Sequence, residues 1–110
     1  MHLQLIDKIL DAGRNAAYSK MSLERNSEKP DMRAYGFHEL HRLIKEEMNE
    51  LGDEFRKMVL QGDRSEELLI RIRNEAGDVI AFASGIVAKC DQEVDKIHFE
   101  NSPSLFDEAQ

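Results

Sequence analysis

Between residues 37 and 86 apolar side chains recur at intervals of three and four, and that period constrains this chain more than any other feature in it. Phe37, Leu40, Ile44, Leu51, Phe55 and Met58 form one stripe, and Leu68, Ile72, Val79, Phe82 and Ile86 form a second. Such spacing gathers side chains on one face of an α-helix but scatters them over both faces of a strand. One position interrupts each stripe: Glu47 fills the gap in the first and Glu75 in the second. A carboxylate in an apolar seam is costly unless a cation meets it, because an unpaired charge resists leaving water.

The remaining punctuation sets expected element limits. The second helix is expected over about Phe37 to Leu60, stopping at Gln61-Gly62, where Gly62 can take the left-handed conformation of a helix terminus. Asp63 and Glu66 resemble a capping box that opens a third helix running to about Asp91. A first helix is expected from about Leu3 to about Lys20, with Leu3, Ile6, Ile9, Leu10, Ala16 and Ala17 on one side. Between the first two helices "MSLERNSEKPDMRAYG" reads as a long connection of the kind that often carries function. No period-two alternation or internal repeat occurs. The expected architecture is all-α: an antiparallel helical bundle completed by oligomerisation, since stripes on more than one side leave apolar surface that a 110-residue monomer struggles to cover. Residues 1–97 are read as one domain, and 98–110, "HFENSPSLFDEAQ", as a tail that is mobile or docked on a partner subunit.

Charge narrows the function. A formal net charge of -7 argues against stable nucleic-acid binding, which draws its affinity from a basic face. No run approaches a membrane span, and the N-terminal amphipathic pattern lacks a signal-peptide core, so a cytoplasmic protein is expected. The single Cys90 permits no internal disulfide and falls on the apolar side of the third helix, where core packing is expected of it.

The acids pair at helical spacing. Glu47 and Glu50 lie three apart, as do Glu75 and Asp78, so each pair shares a helix face. With a short turn between their helices, the two pairs converge across an antiparallel contact. Four carboxylates so placed call for a cation, and an all-oxygen ligand set suits Mg²⁺, or Mn²⁺, rather than zinc. Mg²⁺ held by carboxylates usually keeps positions for water and phosphate oxygens, which points to a polyphosphate substrate.

The same residues carry a resemblance. "EEMNE" at Glu46–Glu50 and "EAGD" at Glu75–Asp78 look like the E-E-x-x-E and E-x-x-D motifs of the MazG-like all-α nucleoside triphosphate pyrophosphohydrolases. Likeness extends from about Tyr35 through "GFHELHRLIKEEMNELGDEF" to "IRNEAGDVIAFASGIVAKC", and the length resembles the small stand-alone, often phage or bacterial, type. The resemblance implies Mg²⁺-dependent cleavage of a nucleoside triphosphate to monophosphate and pyrophosphate by a homodimer or homotetramer of helical bundles. It implies Glu47, Glu50, Glu75 and Asp78 as metal-binding acids, and Glu46 as the first acid of the motif. Glu47 or Glu50 is then the residue that orients the attacking water or accepts its proton, and the sequence leaves open which. Relatives often place Asn three residues after the motif Asp; here Ala81 stands there, so nucleotide contacts depart from the family pattern.

Among the cations, Lys45, Arg71 and Lys89 are candidates for binding phosphate oxygens, with Arg73 beside them, although solvated helix faces account for such residues equally well. Lys89 lies about 16 Å along the helix from Asp78 and would reach the same phosphates only from another direction or subunit. His38 and His41 have metal-compatible spacing but no evident third ligand. Tyr35 and Phe37 are placed to stack on a base, with Phe37 expected instead in the core. Two rivals share the pattern: a phosphoribosyl-ATP pyrophosphohydrolase using the same chemistry, and a non-enzymatic acidic helical interaction module. A ferritin-like di-iron site would need Glu-x-x-His, and no His here follows a Glu at that spacing.

Overall fold

A computed structural model describes residues 2–26, 32–62 and 64–101, and among these the chain is helical with no strand. Helix α1 spans Leu3–Asn26, α2 Phe37–Gln61 and α3 Glu66–Glu100, with a single 3₁₀ turn at Met32–Ala34 ahead of α2. The all-α expectation holds. Helix α2 ends as expected, with Gly62 at φ 63° and ψ 16° in the left-handed region that a side chain disfavours.

Three limits differ from the sequence reading. Helix α1 continues past Lys20 to Asn26, because the sequence after Met21 holds no Gly or Pro before Asn26 that would break it. Helix α3 begins under Ser65, whose hydroxyl accepts from the Leu68 amide at 3.2 Å, and not under an Asp63 box; Asp63 itself lies outside the described residues. Glu66 and Glu67 then occupy the first turn, where the helix dipole favours acids. At its far end α3 runs through Cys90 and His98 to Glu100, since no Gly or Pro interrupts it until Pro103. Of the expected tail, residues 102–110 lie outside the described part, as do 27–31 of the connection between α1 and α2.

Helix α3 is the spine, and α1 and α2 each lie along it. Both run antiparallel to it. On one side Glu54 pairs with Arg71 while Phe37 meets Lys89; on the other, Gly13 faces Ile80 while Ala16 faces Gly77. The core sits where the three helices meet, with Ala17, Leu40, Ala81 and Phe82 buried and Tyr35, Leu43, Ile44, Ile80 and Ile86 packed around them. Leu68 is fully buried nearer the α2–α3 turn. Burial of a Leu or Phe of this kind contributes roughly 1.5–3 kcal/mol each.

Several stripe residues are not covered. Phe37 is 44% exposed and Phe55 46%, which corrects the expectation that Phe37 belongs to the core. Cys90 is likewise exposed, because α3 at this point has run past the start of α2, whose first residue already lies opposite Lys89. The molecule is long, 68 × 36 × 25 Å, and its radius of gyration of 18.7 Å exceeds the about 13 Å of a compact chain of this length.

Candidate metal centre

Glu47 lies on α2 in the seam between Ile44 and Leu51, so the helix that buries those apolar neighbours also draws the carboxylate inward. Glu75 does the same on α3. Carboxylate oxygens of Glu47, Glu75 and Asp78 lie within 4.8 Å of one another, each residue half-buried. Convergence of the two acid pairs is thus realised across the antiparallel α2–α3 contact. Glu50, one turn from Glu47, is exposed at the rim and stands within hydrogen-bonding range of both Glu47 and Glu75.

Electrostatics follow from this crowding. Glu47 is pushed up from 4.5 to about 7, first by burial and then by the charges of Glu50 and Asp78, with Lys20 pulling the other way. Glu75 is also raised, by burial and then by Glu50 and Asp78. Oε2 of Glu47 and Oε2 of Glu75 are both buried and have no hydrogen-bond partner among the described residues. Orphaned acceptors of this kind are uncommon and call for an explanation. A divalent cation would supply one: hard oxygen donors from two helices, two of them otherwise unmatched, are a donor set that could hold Mg²⁺ or Mn²⁺.

The other candidates fall elsewhere. Lys45 is exposed and, two residues from Glu47, points to the opposite side of α2. Arg71 pairs with Glu54 at 3.3 Å and Glu67 at 3.5 Å. Lys89 donates to the Arg33 carbonyl at 3.1 Å and lies 5.2 Å from the Phe37 ring centroid, pinning the 3₁₀ turn to α3. Glu46 pairs with Arg42 in solvent, away from the cluster. His38 and His41 are exposed on α2, and Tyr35 packs against the core. Ala81 is fully buried.

Two neighbours of the site escaped the sequence reading. Glu54 is only 13% exposed and joins the electrostatic environment of Glu75; burial would raise it, but Lys57 and Arg71 together hold it below the ordinary carboxylate range. Its i,i+7 spacing from Glu47 was the available signal. Lys20 comes from α1, whose position relative to the acids no local pattern encodes.

With this geometry in hand, comparison with protein-family models, curated proteins and solved structures finds no match to the chain. The described helices include none long and apolar enough to cross a membrane.

Proposed function

We propose that this protein is a Mg²⁺-dependent nucleoside triphosphate pyrophosphohydrolase that works as a homodimer or homotetramer. The observation that carries the reading is the pairing of converged carboxylates from α2 and α3 with two buried, unpartnered oxygens on Glu47 and Glu75. The motif resemblance at Glu46–Glu50 and Glu75–Asp78 supports the same chemistry.

Glu47, Glu75 and Asp78 would hold the ion, with Glu50 completing the set from the rim. When bound, the ion supplies charge to offset the phosphate oxygens and acidity to a coordinated water. The chain's own contribution is placement. Helices fix the acids more rigidly than loops would, and burial in the α2–α3 seam keeps two of their oxygens from water. Glu50, being exposed and adjacent to the half-buried Glu47 and Glu75, is the residue best placed to orient a water or take its proton on the substrate side. The rim beside Glu50 opens to solvent, where a triphosphate tail can approach.

The test is release of pyrophosphate from a panel of ribo- and deoxynucleoside triphosphates and phosphoribosyl-ATP, with Mg²⁺ and with chelator. Pyrophosphate from at least one compound in Mg²⁺ alone is the expected result. Turnover confined to phosphoribosyl-ATP would reassign the substrate, and no turnover on any compound would leave the acidic helices as a binding module.

A further inference from the structure

Gly77, inside the "EAGD" run, marks the closest approach of α1 to α3. A Cβ at this position would stand 2.8 Å from the backbone carbon, the carbonyl oxygen and the Cβ of Ala16. Only glycine permits backbones to come so near. Lys20 stands one turn beyond Ala16 on α1, at the i+4 position that shares its face. Its ammonium lies 6.0 Å from the centroid of the Phe82 ring, and Phe82 is itself one turn beyond Asp78 on α3. Lys20 is half-buried there, and its charge acts on Glu47 against the push of Glu50 and Asp78. Three helices therefore meet at the acids: α2 and α3 bring carboxylates, and α1 brings an ammonium.

We propose that Lys20 is a built-in counter-ion of the carboxylate cluster, and that it sets how tightly the cluster takes a divalent cation because ammonium and ion compete for the same charge. This inference rests on the metal-centre reading above. With Lys20 in place the empty cluster is partly neutralised, which lets α2 and α3 pack with their acids turned inward. An incoming divalent ion has to displace the ammonium or sit beside a like charge. The long flexible stem of lysine suits this role, since the ammonium can swing away while the methylenes stay against Phe82. Removing the charge then has two effects of opposite sign: the empty protein becomes less stable, and the ion is held more tightly. Taking a separation of roughly 6 Å, a unit charge and a divalent ion at the permittivity of water repel by an amount that corresponds to about a tenfold change in affinity.

The experiment is calorimetric titration of the full chain with Mn²⁺ at pH 8, for the parent and for Lys20→Met, Lys20→Gln and Lys20→Arg, each checked for helicity by circular dichroism. Lys20→Met preserves the stem on Phe82, so packing and charge are separated. Expected are Mn²⁺ dissociation constants about tenfold lower for Lys20→Met and Lys20→Gln, and within about twofold of the parent for Lys20→Arg. In chelator, both uncharged variants should melt below the parent. A parent that binds Mn²⁺ with Met and Gln variants that bind it no more tightly overturns the counter-ion role and leaves the metal centre standing. A parent that takes up no Mn²⁺ overturns both.

Discussion

Replacing Glu47 by Gln separates a metal ligand from a merely tolerated core acid. A half-buried carboxylate with an orphaned oxygen destabilises the metal-free fold, so an uncharged isostere should hold or raise the melting temperature in chelator. A ligand lost from a metal centre should cost at least about a hundredfold in Mg²⁺-dependent turnover. Asp78→Asn is expected to behave likewise from the other helix, while Glu66→Gln, on an exposed acid at the start of α3, should stay within about twofold of the parent. Undiminished turnover in Glu47→Gln and Asp78→Asn would place the chemistry elsewhere. The raised carboxyls make a second prediction, for which the sign can be worked out. Glu47 titrates near 4.5 when unfolded and at about 7 when folded, so between these values the native state binds more protons than the unfolded chain. Stability is therefore greatest below the unfolded value and falls as pH rises towards 7, by about 1–2 kcal/mol once solvent screening of a partly exposed group is allowed for. Glu75 contributes in the same direction. Saturating Mg²⁺ should reverse the slope, because the ion binds the deprotonated acids and stabilises only the folded state. Urea denaturation from pH 5 to 8, with and without Mg²⁺, tests this; identical slopes in both would count against an ion among these carboxylates.

At the scale of elements, much was legible and the reasons are local. The i, i+3, i+4 stripes located α2 and α3, the Gly62 stop made them a hairpin, and the two gaps in the stripes marked the acids that the hairpin then brought together. What escaped was the part that α1 plays in the site. Nothing in the neighbourhood of Lys20 distinguishes it from a solvated lysine, since the contact that matters is made across to α3 and depends on two small residues, Ala16 and Gly77, that periodicity does not weigh. Helix ends were misplaced where polar composition was read as a break, as after Lys20, or where a capping box was read at Asp63 although the helix starts under Ser65. The fate of Phe37 and Cys90 was hidden for another reason: a stripe shows which face is apolar, but only the lengths of the neighbouring helices decide how much of it is covered. The α1–α3 contact can be tested with two glycines. At Gly52, where an added Cβ meets nothing within 4 Å, Gly→Ala should raise stability by roughly 0.5–1 kcal/mol through helix propensity. At Gly77 the same change gains that propensity but drives a methyl into the Ala16 backbone, and should lower stability by about 1–3 kcal/mol net. Equal, positive shifts of the urea midpoint in the two variants would mean that α1 does not lie closely on α3.

The whole molecule is long, thinly cored and apolar on its outside, and these facts bear together on assembly. Fully or nearly buried hydrophobics among the described residues are Ala16, Ala17, Leu40, Leu68, Ala81 and Phe82, three of them alanines that bury little area. Against that, Leu10 is 64% exposed, Ile9 54%, Val94 48% and Ile97 52%. Ile9, Leu10, Ala17, Tyr18, Met21 and Ile80 line a groove of about 590 Å³ between α1 and α3, on a side of the spine that α2 does not cover. In sequence order this apolar face continues along α3 through Val87 and Val94, past the end of α1. A face that is groove at one end and ridge at the other can pair with a second copy of itself about a two-fold axis, which is the commonest closed arrangement for identical subunits. Pairing would convert two open three-helix units into a closed bundle, and a chain with a net charge of -7 would tolerate it because, of the nine residues that line the groove, only Arg14 is charged. Light scattering at micromolar concentration should therefore report a dimer or tetramer, and Leu10→Asp should shift it towards monomer and lower the melting temperature by several degrees. The acids of α2 and α3 are joined within one chain, so the same monomeric variant should still take up Mn²⁺. A parent that scatters as a stable monomer would overturn the proposed assembly, whereas a Leu10→Asp monomer that no longer binds Mn²⁺ would mean that the cluster needs the second copy to hold its geometry.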